Sequence, residues 1–229
     1  WEIVFSIIAI IVFFLMILTN LFVPLKKDKK FIINQKNLIK PFNEFIFRNS
    51  FLRVLLIVLL IFSFKFGDVI AGVMANPFYV KLGFSNIDIA NASKIFGVIM
   101  TIIGVFCGGA LVKKIGIINS LIISGFFQII SNLFYVLLNY VGSEISFLFL
   151  TVAAENFAGG LGSAAFVAYL SALCNKKYTG TQYALLSSVM GLARTVLSAP
   201  SGFLVESLGW TNFFLISTIF GLPAMFILY

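Results

Sequence analysis

Seven stretches of the chain are almost continuously apolar: Ile3–Val23, Val54–Ala75, Ile95–Val112, Ile117–Tyr140, Ile145–Leu173, Tyr183–Val205 and Trp210–Tyr229. Each approaches the ~20 helical residues that cross a ~30 Å hydrocarbon core. None shows the ten-residue alternating units of a transmembrane β-barrel. Helices satisfy their own backbone groups in lipid, whereas an open strand edge does not. The pattern predicts an all-α membrane protein with seven transmembrane helices.

The longest interruption runs from Pro24 to Arg53. It divides the chain into a single transmembrane helix (1–24), a basic linker (25–52) and a six-helix bundle (53–229). The first part of the linker, "PLKKDKKFIINQKN", reads as a loose basic segment at the cytoplasmic face. The second part, "KPFNEFIFRNSF", reads as a helix with Pro41 in its first turn. Phe42, Phe45 and Ile46 would share one face, with Glu44 and Arg48 four apart elsewhere. Two readings stand for it, an interfacial amphipathic helix or a linker packed under the bundle. After the second span the helix is expected to pass Ala75, kink at Asn76-Pro77, and give way to a short turn capped by Ser85 or Asn86, with Asp88 at its N-terminus. Such a kink serves equally as a gate hinge or a plain bend.

One span, a long basic linker and six further spans match the sixth helix and second half of a twelve-helix transporter built from two six-helix halves. Five helices would then be missing. The start at Trp1 without a Met, and the stop at Tyr229 without a polar tail, also read as a piece of something longer. The first span lacks the basic start and cleavage site of a signal peptide.

Charge adds orientation. The formal net charge is +8, with 61 % hydrophobic and 10 % charged residues. Basic residues crowd the linker (Lys26, Lys27, Lys29, Lys30, Lys36, Lys40, Arg48, Arg53) and recur at Lys113, Lys114, Lys176 and Lys177. Glu2, Lys81, Asp88, Lys94, Glu144 and Glu206 fall on the opposite side. Basicity on alternate loops is the positive-inside pattern, not a nucleic-acid surface. It places the N-terminus of this chain outside and its C-terminus in the cytoplasm. Cys107 and Cys174 suggest neither a disulfide nor a metal site. Histidine is absent, which removes histidine-based zinc sites, Ser-His dyads and histidine relays. Ser163 therefore has no base, and no enzyme, cofactor or metal is expected.

Four ionisable residues lie inside apolar spans: Lys65, Asp68, Glu155 and Arg194. A charge at mid-bilayer costs ~2.5–3.5 kcal/mol on insertion scales, so it is usually kept for pairing or transport. Lys65 and Asp68, three apart, share a helix face bordered by Gly67 and Gly72. They form either a fixed salt bridge or a pair whose opening leaves the carboxylate free to take up a proton. Glu155-Asn156 precedes Gly159, Gly160 and Gly162, small residues that let helices approach closely. Glu155 is a second protonatable group or a partner for Arg194. The Arg194 guanidinium suits a carboxylate on a substrate, on Glu155 or on Asp68. Gln128, Asn132 and Tyr135 form a polar stripe suited to sugar hydroxyls or to interhelical hydrogen bonds.

Four blocks carry a resemblance: "FKFGDVIAG" at Phe64–Gly72, "QIISNLFY" at Gln128–Tyr135, "ENFAGGLGSAAFVAYLSALCNK" at Glu155–Lys176 and "TQYALLSSV" at Thr181–Val189. With Arg194 and "GFLVESLGW" they make the segment from Pro41 to Trp210 resemble the AmpG family of muropeptide permeases, within the major facilitator superfamily. "GGALVKKIG" looks like that superfamily's cytoplasmic loop motif without its acidic residue. The resemblance implies a half-transporter of the bacterial inner membrane, importing GlcNAc-anhydroMurNAc-peptides by proton symport for peptidoglycan recycling. It also implies that Lys65, Asp68, Glu155, Asn156 and Arg194 line or support a central cavity. The resulting assignment gives Lys65, Gln128, Asn132, Asn156 and Arg194 to substrate and Asp68 and Glu155 to proton coupling. The implied partners are the lipid bilayer, a small glycopeptide, protons and the absent N-terminal half, without nucleic acid. The rivals are a related permease for acetyl-CoA or another anionic solute, a seven-helix receptor, and a non-transporting membrane remnant.

Overall fold

The structure, a computed structural model, describes residues 2–22 and 35–228. The basic stretch from Pro24 to Asn34, read above as a loose cytoplasmic segment, lies outside the described residues. Two compact units result, Trp1–Leu38 and Ile39–Tyr229. In the first, α1 (Glu2–Phe22) is a 21-residue helix without an interior Gly or Pro. It is long and apolar enough to cross a membrane.

The second unit consists of helices joined by short turns, with no strand among its described residues. After the end of α2 (Gln35–Arg48) come α3 (Phe51–Lys81), α4 (Asn86–Ala90), a π-helical turn (Asn91–Phe96), α5 (Gly97–Ile115), α6 (Ile117–Val141) and α7 (Ile145–Leu173). The chain then forms α8 (Thr179–Ser198), α9 (Ser201–Phe220) and α10 (Leu222–Leu228). Including α1, six helical segments of the described residues meet the length and apolarity of a membrane crossing. Helix α8 is as long as a crossing, at 20 residues, but falls short in apolarity. Thr179, Gln182, Ser187, Ser188, Arg194 and Thr195 dilute it.

Several boundaries differ from those the sequence predicts. The sixth apolar stretch, expected to continue to Val205, ends at Ser198, because Pro200 cannot extend the helix and instead starts α9. Helix α9 is itself interrupted at Gly209, whose φ of 77° no side-chain-bearing residue adopts readily. The segment from Trp210 onward thus begins afresh, where the last span was expected. Helix α3 passes through Asn76-Pro77 and continues to Lys81. Ser85 caps α4 as expected, its hydroxyl accepting the Asp88 N–H at 3.1 Å.

Two apolar clusters hold the bundle. One gathers Phe78, Tyr79, Tyr135, Phe213 and Phe214, with Trp210 against it. The other gathers Phe45, Leu60, Phe64, Leu121, Phe166 and Leu186. Helix α5 meets α7 almost backbone to backbone. A methyl on Gly104 would strike the Phe157 carbonyl, and one on Gly160 would strike the carbonyl of Thr101. With no hydrophobic drive between helices in lipid, such close packing is what joins them.

The linker helix packs under the bundle through a face the sequence did not predict. Pro41 is the seventh residue of α2, not part of its first turn. Pro41 and Phe45 are buried, while Phe42 and Ile46 are exposed. Glu44 faces inward too. Its carboxylate accepts from Asn175 Nδ2 at 2.6 Å and from Gln182 Nε2 at 2.5 Å. Gln182 also donates to the Pro41 carbonyl at 3.0 Å and accepts the Asn175 N–H at 2.7 Å. Arg48 pairs with Glu44 at 3.4 Å and donates to the Leu173 carbonyl at 2.6 Å. The physical reason is polar satisfaction, since the end of α7 and the buried Gln182 need partners that α2 supplies.

The hydrogen bonds from Asn175 and Gln182 hold the Glu44 carboxyl below its ordinary value of 4.5. A lowered carboxylate value contributes stability above the ordinary pKa and loses it as pH falls through the depressed one. A nitroxide at Phe47→Cys, in a Cys107→Ser/Cys174→Ser background, should therefore gain mobility as pH is taken below about 4.5. With Glu44→Gln added, the label should be mobile from the start and insensitive to pH.

Candidate functional site

Helices α3, α7 and α8 and the π-helical turn enclose a cleft of about 750 Å³. Lys65, Asp68 and Gly72 come from α3, Glu155, Asn156 and Ser163 from α7, Arg194 and Gly191 from α8, and Lys94 from the π-helical turn. A side pocket of about 220 Å³ runs on past Thr101 and Gly160. Five of the seven predicted site residues therefore share one cleft: Lys65, Asp68, Glu155, Asn156 and Arg194.

The charges are held unequally. Lys65 Nζ lies 3.5 Å from Asp68 Oδ2, with the two side chains 18 % and 20 % exposed. The same ammonium donates to Ser163 Oγ at 3.5 Å. Glu155 is held from α6, where the Tyr135 hydroxyl donates to its carboxylate. Tyr79 in turn donates to Tyr135 at 3.4 Å, and the Tyr135 ring stacks on Phe214 with centroids 4.6 Å apart. Asn156 accepts from Thr101 Oγ1 at 3.0 Å across the α5–α7 seam. Arg194 is exposed and forms no ion pair among the described residues. The pairing of Arg194 with Glu155 or Asp68, considered from sequence, is not formed.

Gln128 and Asn132 stand apart from the cleft. They are 4 % and 2 % exposed and line, with Asp68, a cavity of about 10 Å³, room for one water. Asn132 sits against Gly67, and Gln128 against Gly162. Gln128 Nε2 and Asn132 Oδ1 have no partner in the described structure. Gln128 and Asn132 thus lie one layer behind the cleft, sharing Asp68 with it, while Tyr135 of the same stripe reaches the cleft through Glu155.

Sequence reasoning missed two residues. Tyr135 looked like the end of the amide stripe, but it grips Glu155. A buried phenol needs a hydrogen-bond partner, and this was the available signal. Lys94 was counted among the charges of an outer loop, although the π-helical turn brings it to the cleft.

A helical bundle with an ion pair, a second carboxylate, an amide and two further cations around one cleft is arranged as a transporter's would be. The family model described as Major Facilitator Superfamily matches residues 1–196. This chain belongs to the Major Facilitator Superfamily. Across 238 aligned positions the superfamily member is 36 % identical to "Putative transporter AmpG 4" of Rickettsia conorii, covering 100 % of this chain and 56 % of that protein. It is 35 % identical over 215 positions to "Putative transporter AmpG 1" of Rickettsia prowazekii, covering 88 % and 48 % respectively. A third relative, "Putative transporter AmpG 3" of Rickettsia prowazekii, is 34 % identical over 176 positions, covering 77 % and 42 %. The chain spans about half the length of the curated relatives it matches. This superfamily member is thus an all-α, multi-pass membrane protein with AmpG-type relatives.

Within it, the Lys65–Asp68 pair is testable by a double-mutant cycle. Removing one partner of a poorly solvated pair strands a charge, whereas removing both does not. For this partly exposed pair, Lys65→Met or Asp68→Leu alone should cost about 1–3 kcal/mol in detergent unfolding. The double variant should recover most of that loss.

Proposed function

We propose that this chain is the sixth helix and carboxyl-terminal half of a proton-coupled importer of anhydro-muropeptides in a bacterial inner membrane. The observation that carries the reading is the shared cleft, where Lys65, Asp68, Glu155, Asn156 and Arg194 meet inside an apolar bundle. Such groups are costly in a membrane and are retained where a polar passenger moves. A glycopeptide offers carboxylates to Arg194 and Lys65 and hydroxyls and amides to Asn156.

Asp68 and Glu155 are the proton-coupling groups in this reading. Each carboxylate is held by one neighbouring side chain: Asp68 by Lys65 of the same helix, which a rotamer change can withdraw, and Glu155 by Tyr135, which a movement of α6 against α7 can withdraw. Gln128 and Asn132 are assigned to the layer behind, where their free amide atoms face the same small cavity as Asp68. The names of the Rickettsia relatives favour the AmpG reading over a receptor.

The orientation proposed is periplasmic at the N-terminus of this chain and cytoplasmic at its C-terminus. The Glu44–Asn175 bond supports one part of it, because it puts the linker helix beside Lys176 and Lys177. Both basic segments then face one side, as the positive-inside rule requires.

Uptake of labelled anhydro-muropeptide into cells lacking their own permease tests the reading. The chain would be preceded by the amino-terminal half of the Rickettsia conorii relative. Uptake should depend on the proton gradient and fall to background when Lys65→Gln, Asp68→Asn, Glu155→Gln and Arg194→Gln are combined. Undiminished uptake by that variant overturns the mechanism.

A further inference from the structure

The cleft carries three cations, Lys65, Lys94 and Arg194, against two carboxylates, Asp68 and Glu155. Lys65 is engaged by Asp68 and Ser163, each at 3.5 Å. Glu155 is engaged by Tyr135. Lys94 and Arg194 are both exposed, and neither forms an ion pair among the described residues. The positive charge not already engaged within the protein is therefore found on these two side chains, which stand on different elements.

The backbone gives Lys94 its place. Gly97 and Thr101 of α5 face Asn156: the Thr101 hydroxyl donates to its amide oxygen, and a methyl on Gly97 would touch its amide nitrogen. Lys94 precedes Gly97 by three residues and Thr101 by seven, which continues the same stripe one turn outward. It lies within Asn91–Phe96, where the helix widens to a π turn, a local change of register often associated with functional sites. Ala92 of that turn is fully buried, anchoring the segment while the Lys94 side chain stays exposed.

We propose that Lys94 and Arg194 form a two-point receptor for a passenger bearing two separate anionic groups. This rests on the transport reading above and sharpens it. Carboxylates of a peptide and phosphates of a nucleotide-bearing solute share the required chemistry.

The test uses the transporter completed by the amino-terminal half of the Rickettsia conorii relative, in cells lacking their own permease. The probes are labelled anhydro-muropeptide with a tripeptide, the peptide-free anhydro-disaccharide, and acetyl-CoA as competitor. Lys94→Gln should raise KM for the tripeptide form about tenfold, the effect of one lost charge-assisted hydrogen bond, with kcat unchanged. The peptide-free form should respond little, and Lys94→Arg should restore the KM. Tripeptide-form uptake that acetyl-CoA does not inhibit assigns the anions to the peptide carboxylates, while inhibition assigns them to phosphates as well. A KM that Lys94→Gln leaves unchanged, or raises equally for both sugar probes, overturns the two-point receptor while leaving the transport reading intact. Failure of the unaltered transporter to take up either sugar probe defeats the transport reading and, with it, this inference.

Discussion

The backbone contact between α5 and α7 is the constraint on which the cleft depends. Lipid does not press helices together as water does, so they join where small residues let backbones touch. Gly104, Gly108 and Gly160 leave no room for a side chain between the two helices. With the seam closed, Asn156 is fixed by Thr101, and the adjacent residue Glu155 meets Tyr135 of α6. Gly162 makes similar room for Gln128. Helix α7 therefore owes its central place to its glycines, and its acid and amide face the cleft as a consequence.

Around that seam, polar groups follow a simple division. Those that only hold the structure are paired with a neighbouring helix, as in Glu44 with Asn175 and Gln182. Those that face the cleft are held by few contacts: Asp68 by Lys65 of its own helix, Glu155 by Tyr135 of α6, and Asn156 by Thr101 across the seam. Lys94 and Arg194 remain outside any ion pair among the described residues. A bundle designed only for stability would gain nothing from exposing two unpaired cations in an apolar wall. A transporter of anionic solutes gains a place for its passenger.

Much of this was legible from hydrophobic patterning and from the scarcity of charge. Apolar length gave the spans, because the bilayer thickness fixes how many helical residues are needed. Four ionisable positions inside spans gave most of the cleft, because few other reasons retain them. What escaped depends on contacts between distant segments. Pro41 and Phe45 face inward only because Gln182 and Leu186 lie opposite, and no local periodicity records that. The end of α8 at Ser198 needed Pro200 to outweigh a continuous apolar run. Lys94 was hidden because the apolar stretch starts at Ile95, whereas α4 and the π turn extend the helix back beyond it, and Tyr135 was hidden by a stripe it only partly belongs to. Gln128 and Asn132 were found as a polar pair, but their depth behind Gly67 and Gly162 is a packing fact.

The central claim is that water reaches a charged cleft inside an otherwise apolar bundle. Val73 and Val167 line that cleft, whereas Ile99 is exposed on the apolar surface of α5. Single cysteines at these positions, with Cys107 and Cys174 replaced by serine, can be challenged in intact membranes with a charged, membrane-impermeant thiol reagent. The account predicts rapid labelling at Val73→Cys and Val167→Cys and none at Ile99→Cys. Equal inertness at all three would contradict it.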